Sequence, residues 1–225
     1  MFPMDRSTAR TTLHATLAMP WNLARRSVLL WLVGFLLLVS TARAEHEGKL
    51  QILLLGDSST QGSVPRLHDP KGPHLEDVIR LRLAEEKGLP PVNVINLGRG
   101  GEFIHRLLTS GRYDRDVAKL PGVDYVFVRY GICDHAYREN FPANFPKDYH
   151  ELIARLRKDF PRATIVPMTV IPFRNPKAEA EINLLVRKVA EEERLPLLDL
   201  HPIYAAELKP PWPPRNRNSS RNWCN

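Results

Sequence analysis

From residue 48 onward, short apolar runs alternate with segments of helical period, and this alternation limits the possible folds more than any other feature. The runs at residues 50–55, 92–97, 125–130, 164–171 and 196–200 are largely apolar, as strands covered on both faces are. Between them, residues 75–87 repeat apolar side chains at Leu75, Val78, Ile79, Leu81 and Leu83 among charges. Residues 146–160 put Tyr149, Leu152, Ile153 and Leu156 on one stripe behind Pro146, a residue suited to the first helical position. Residues 103–108 and 203–208 read as shorter helices, and Asn175-Pro176 as the cap and first residue of a helix reaching residue 194. Five strands alternating with helices predict a parallel five-stranded sheet inside a three-layer α/β/α domain.

The pattern fails at both ends. Arg25-Arg26 precedes an apolar stretch at residues 28–39, and Ala42-Arg43-Ala44 follows it. A basic segment, an apolar core and a small-residue site make residues 1–44 a secretory signal peptide, with a retained anchor as the second reading. The apolar stretch is shorter than the roughly 20 residues that span a bilayer. Export to the periplasm or the extracellular space is therefore expected, with membrane contact only through an uncleaved leader. From Pro210 the chain is rich in Pro, Asn and Arg and has neither periodicity, so residues 210–225 read as an irregular tail behind a domain at 45–209. The formal charge of +7 also changes: residues 1–44 hold five Arg and one Asp, leaving 27 bases against 24 acids, a net of +3. Such a balance gives no basic face for nucleic acid. Two cysteines, Cys133 and Cys224, allow one disulfide outside the cytoplasm and match no zinc spacing.

The chemistry gathers behind the strands. Gly56-Asp57-Ser58-Ser59 ends the first run and lifts a hydroxyl to the carboxyl edge of the sheet, where open α/β folds bind ligands. Ser58 is a candidate nucleophile, provided a base takes its proton; the alternative is a serine at a helix N-terminus. Asp57 reads as a residue that shapes the turn through its side chain. Gly98-Arg99-Gly100-Gly101-Glu102 follows the second run and Gly131-Ile132-Cys133-Asp134 the third. Arg99 and Glu102 read as solvated loop charges, and His68, His74, His105 and His150 as solvent-facing. Neither glycine loop has the Lys-Ser/Thr ending of a P-loop or the spacing of a dinucleotide fingerprint.

Three such blocks in this order, each behind a strand, resemble the SGNH (GDSL-type) hydrolase superfamily of esterases and lipases over residues 48–208. The resemblance implies a flavodoxin-like sheet, a carboxylic-ester hydrolase, and Ser58 as the residue that is acylated. It also implies backbone N–H groups of Ser58 and Gly101 as oxyanion donors, and no metal or organic cofactor. A glycine-rich turn into a helix explains Gly101 equally well. Where the family has Gly-x-Asn-Asp, this chain has Cys133 at the Asn position, and a thiol is a weak donor. Asp134 then reads as an organiser of its loop. Cys133 as a thiolate nucleophile needs an adjacent base, and His135 stands two residues away.

The family's Asp-x-x-His block, which supplies the orienting carboxylate and the base, does not occur after Pro196. Asp199-Leu200-His201 is the nearest pattern, with one residue between instead of two; it reads first as the end of a strand and the start of a loop, and only second as the orienting carboxylate and base. One explanation is a shifted reading frame after residue 208, which translation of the other two frames would test. Two functions follow. One is an exported ester hydrolase acting on a small-molecule or carbohydrate ester; the other is a silent SGNH-fold binding protein that keeps the pocket without the base.

Overall fold

The computed structural model describes residues 48–173 and 175–207. The signal-peptide reading of residues 1–44 and the tail at 210–225 lie outside the described residues. Strands β1 (Leu50–Gly56), β2 (Val92–Asn96), β3 (Tyr125–Arg129) and β4 (Thr164–Pro167) form one parallel sheet in the order β2-β1-β3-β4. Leu54 pairs with Asn96 on one side and Phe127 on the other, and Gly56 pairs with Arg129. The carboxyl ends of β1, β2 and β3 thus meet at one edge, which is where the three sequence blocks emerge.

Alternation along β1 sends Leu53 and Leu55 to one face and Ile52 and Leu54 to the other. The first face is covered by α4 (Ile104–Thr109), α6 (Phe141–Asp159) and α7 (Pro176–Glu192), which bury Leu107, Tyr149, Leu152, Ile182 and Val186 completely. Each such side chain contributes about 1.5–3 kcal/mol by leaving water. The second face carries α3 (Leu75–Ala84), whose Leu75, Ile79 and Leu83 pack on Ile52, Leu54 and Val94. Beside α3, a cavity of about 410 Å³ runs over Leu54 and Phe127 to Tyr204 of α8 (Leu200–Glu207). The layers are α/β/α, as the alternation predicts. No helix among the described residues is long and apolar enough to cross a membrane.

The fifth strand is reduced to one bridge, Met168 to Leu198. Leu198 N–H donates to Pro167 O and Thr169 N–H to the Leu198 carbonyl. Pro196 has no N–H to extend the ladder, and Asp199 turns away to bind Arg187, so four strands pair where five were expected. Helix α6 also begins earlier than Pro146, at Phe141, with Pro142 in its first turn and Pro146 inside. An interior proline removes one helical hydrogen bond. The aromatic stripe offsets that loss: Phe141, Phe145 and Tyr149 stand one turn apart, with ring centroids at 4.9 and 5.6 Å. Short helices α1 (Ser58–Gln61), α2 (Ser63–His68) and α5 (Ile132–Tyr137), and a π-helical turn at Tyr113–Val117, complete the described elements. They are too brief for periodicity to reveal.

Asn175 caps α7 as the sequence predicts, its Oδ1 accepting from Ala178 N–H at 3.3 Å. Asn175→Ala should lower stability by about 1 kcal/mol in urea unfolding.

Candidate active site

The turn after β1 is built by Asp57. Its Oδ1 accepts from Ser59 N–H at 2.9 Å and from the Ser59 hydroxyl at 2.7 Å, which starts α1 with Ser58 as its first residue. Ser58 is half-buried. Gly56 is required beneath it, because a Cβ there would lie 2.1 Å from Thr60 Oγ1 and 2.5 Å from the Arg129 carbonyl oxygen.

The loop after β2 is laid on α1. Asn96 donates through Nδ2 to Thr60 O at 2.9 Å and accepts Gly98 N–H at 2.9 Å, while Arg99 N–H reaches Gly56 O. Gly100 N–H donates to Gln61 Oε1 at 2.7 Å, and a Cβ on Gly100 would stand 3.9 Å from Ser58 Cβ. Gly100 therefore lies against Ser58, and Gly101 follows at φ +70°, a conformation that favours glycine. At Gly98 a side chain would meet Gln61 N at 2.4 Å and Thr60 C at 2.8 Å, both backbone atoms. Gly98→Ala should push this loop off α1 and cost about 1–3 kcal/mol in urea unfolding.

The third loop brings Cys133 and Asp134 beneath the turn. Both are fully buried at the start of α5. Asp134 Oδ1 accepts Ile104 N–H at 2.9 Å, tying this loop to the start of α4. Cys133 is disulfide-bonded, so its sulfur carries no proton to donate and is no thiolate. His135 pairs with Glu181, Nε2 to Oε2 at 3.2 Å. Arg129, at the end of β3, is buried and reaches under α1 to Thr60 Oγ1 at 3.2 Å and Ser59 O at 2.7 Å.

Two charges differ from the solvated positions expected of them. Glu102 is 3% exposed, pairs with the buried Arg112 and accepts from the Tyr130 hydroxyl at 2.7 Å. Burial raises its carboxyl above the usual range. The pair braces the glycine loop, since Arg112 also donates to Leu97 O at 2.6 Å. His74 is buried at the start of α3, its N–H donating to Asp77 Oδ2, whereas His68 is exposed and His105 and His150 are half-exposed.

Asp199 and His201 stand at the other side of the sheet. Arg187 grips Asp199 with two hydrogen bonds of 3.0 and 3.1 Å and, as the main cause, holds its carboxyl below the usual range. Thr169 Oγ1 donates to Asp199 Oδ1 and accepts His201 N–H. The His201 ring meets Glu179 instead, Nε2 to Oε2 at 3.2 Å. Glu179 is buried, and its Oε1 accepts Phe173 N–H and Asn175 N–H. In the sheet, β3 and β4 stand between β1 and the Leu198 edge. Ser58, Gly100 and Asp57 come together at the turn after β1, while Asp199 and His201 are held by Arg187, Thr169 and Glu179.

A serine turn at the end of the first strand, a glycine loop packed across it and a buried carboxylate on the third loop stand at the carboxyl edge of an α/β/α sheet. Residues 54–218 match the GDSL-like lipase/acylhydrolase family; the chain belongs to that family and is by family an ester-bond hydrolase. No curated protein matches the sequence. Among solved structures, the fold is similar to LAE5, an α/β hydrolase enzyme from the metagenome of Lake Arreo, Spain. The identity is 21% over 71% of this chain and 80% of that one, at a TM-score of 0.57. It is also similar to the acetyl xylan esterase AlAXEase, with 22% identity over 70% of this chain and 80% of the other at a TM-score of 0.55. The acetylxylan esterase Axe2 from Geobacillus stearothermophilus matches at 17% identity, over 72% of this chain and 81% of its own, at a TM-score of 0.55.

Proposed function

We propose that the chain is an exported esterase that removes acyl groups from small or carbohydrate esters through Ser58. The observation that carries this reading is the placement of Ser58 at the carboxyl end of β1, with the Gly98–Gly100 loop packed across α1. In the reaction, Ser58 Oγ attacks the ester carbonyl as its proton passes to a base, and the bond to the alcohol oxygen breaks. Water then releases the acid from the acyl-serine. Backbone N–H groups of Ser58 and Gly101 are the oxyanion donors of this reading, without the amide that the family has where Cys133 stands. His201 is its candidate base, with Glu179 rather than Asp199 against the ring. A carbohydrate substrate is supported by the acetyl xylan esterases among the structural neighbours, and export by the leader-like composition of residues 1–44.

The engagement of His201 with Glu179, two strands away from the Ser58 loop, favours a second reading: a binding protein of the same fold with little turnover. A fluorophosphonate probe separates them. On the full chain the esterase reading expects a covalent adduct whose mass maps to the peptide holding Ser58. Absence of labelling, with the chain folded by circular dichroism, would leave the binding protein.

A further inference from the structure

The third loop holds a covalent bond that ester chemistry at Ser58 does not use. Cys133, in the first turn of α5, is the one cysteine among the described residues, and it is disulfide-bonded. The full sequence has two cysteines, Cys133 and Cys224. No free cysteine stands among the described residues. Cys133 is 0% exposed, so its sulfur is closed to an external thiol and to a second copy of the chain. The sulfur that meets it therefore comes from the same chain, and Cys224 is the one candidate.

The position of Cys133 gives the bond its consequence. Gly131, two residues earlier, lies so close to α7 that a Cβ would stand 2.3 Å from Ile182 Cγ2. Asp134, the next residue, accepts Ile104 N–H at the start of α4. Burial raises the Asp57 carboxyl, and the Cys133 N–H is among the groups that oppose the rise, so α5 also faces the turn that carries Ser58. The start of α5 is thus a junction of α4, α7 and the serine turn. Residues 208–225, by contrast, are rich in Pro, Asn and Arg and have no apolar period with which to pack. Fully extended, the chain from Glu207 to Cys224 spans up to about 58 Å. A domain of this size has a radius of gyration of about 15 Å, so reach is no obstacle.

We propose that Cys133 and Cys224 form an intrachain disulfide that clips the C-terminal segment onto the start of α5, beside the Ser58 turn. Cys224 lies outside the residues 54–218 that match the family, so the family match does not include this bond. The clip holds whether or not Ser58 is acylated. It forms by exchange with an external disulfide such as oxidised glutathione. The Cys224 thiolate attacks that disulfide, a mixed disulfide forms and one glutathione thiolate leaves. The Cys133 thiolate then attacks the Cys224 sulfur and expels the second glutathione. Two protein thiols are oxidised, one external disulfide is reduced, and the two protons go to the departing thiolates. The bond closes a loop of about 90 residues, which restricts the unfolded chain far more than the folded one.

The test uses the full chain equilibrated with oxidised glutathione, treated with N-ethylmaleimide to block any remaining thiol, and digested with trypsin without reductant. Cleavage after Arg129, Arg138 and Arg221 should leave residues 130–138 joined to residues 222–225 in one mass. Reduction should split that mass into two peptides, each with one thiol. Glutathione or maleimide on Cys133, or a link between the Cys224 residues of two chains, would overturn the proposal. Stability reads the clip independently. Dithiothreitol should lower the thermal midpoint of the wild type by about 5–15 °C. The reduced wild type should then match Cys224→Ser, which itself should not respond to the reductant. A wild-type midpoint that the reductant leaves unchanged would show that the segment is not clipped.

Discussion

Release of nitrophenol from 4-nitrophenyl acetate by the full chain should fall to the rate in buffer when Ser58 is replaced by alanine. The substitution removes one oxygen from the first residue of α1. It leaves intact the Asp57 cap on Ser59, the Asn96 bond to Thr60 and the Gly100 bond to Gln61, so the turn keeps its shape. A positioned base at such a serine contributes about 10²–10⁴ in rate, and the measured ratio of wild type to Ser58→Ala reports how much of that this chain realises. His201→Ala is the informative companion. If His201 leaves Glu179 and takes the serine proton during turnover, both variants fall together. If His201 stays where its ring now sits, only Ser58→Ala has an effect, and the base lies elsewhere. Equal rates for wild type and Ser58→Ala would exclude the esterase reading.

Arg112→Ala should destabilise the folded chain by about 3–5 kcal/mol in urea unfolding. Arg112 and Glu102 are 7% and 3% exposed, and Arg112 also holds the Leu97 carbonyl and approaches Asp116 at 3.3 Å. Removing the guanidinium takes the ion-pair partner from a buried Glu102 that keeps the Tyr130 hydroxyl, an unfavourable place for a negative charge. The sign of the pH dependence follows. Burial already raises the Glu102 carboxyl above its unfolded value of 4.5, and loss of Arg112 removes the foremost of the cations that oppose this. The folded variant thus binds a proton more readily than the unfolded one, so its deficit should shrink as pH falls toward 4.5. Adding Glu102→Gln should recover part of the loss at neutral pH. A deficit that is the same at every pH would show that the guanidinium matters for packing and not for charge.

Much of this architecture was legible in the order of residues. The apolar runs of β1, β2 and β3 and the capped start of α7 at Asn175 depend on local composition and on neighbours a few positions away. The aromatic stripe of α6 is visible in the same way, but Pro146 disguised its first turn, because the packing of Phe141 on Phe145 outweighs one lost hydrogen bond. The fifth strand failed for a contrary reason: an apolar run predicts burial, but a ladder needs N–H groups, and Pro196 has none. At the site, Gly-Asp-Ser-Ser pointed to Ser58 and to the role of Asp57 in the turn. Gln61, Asn96 and Arg129 were missed, since their contacts span 39, 36 and 69 residues of sequence. A single arginine inside an apolar strand was the one signal available for Arg129.

Sequence alone determined four strands, their parallel pairing and the hydroxyl at the end of β1, because periodicity and turn chemistry act within a few residues. Only the tertiary structure decided which charges are buried and with whom. It put Glu102 against Arg112, Asp199 against Arg187 and His201 against Glu179, and it buried Asp57 and Asp134. Charge pairing depends on which loops the sheet order brings to one edge, and a carboxylate in sequence carries no mark of the dielectric it will meet.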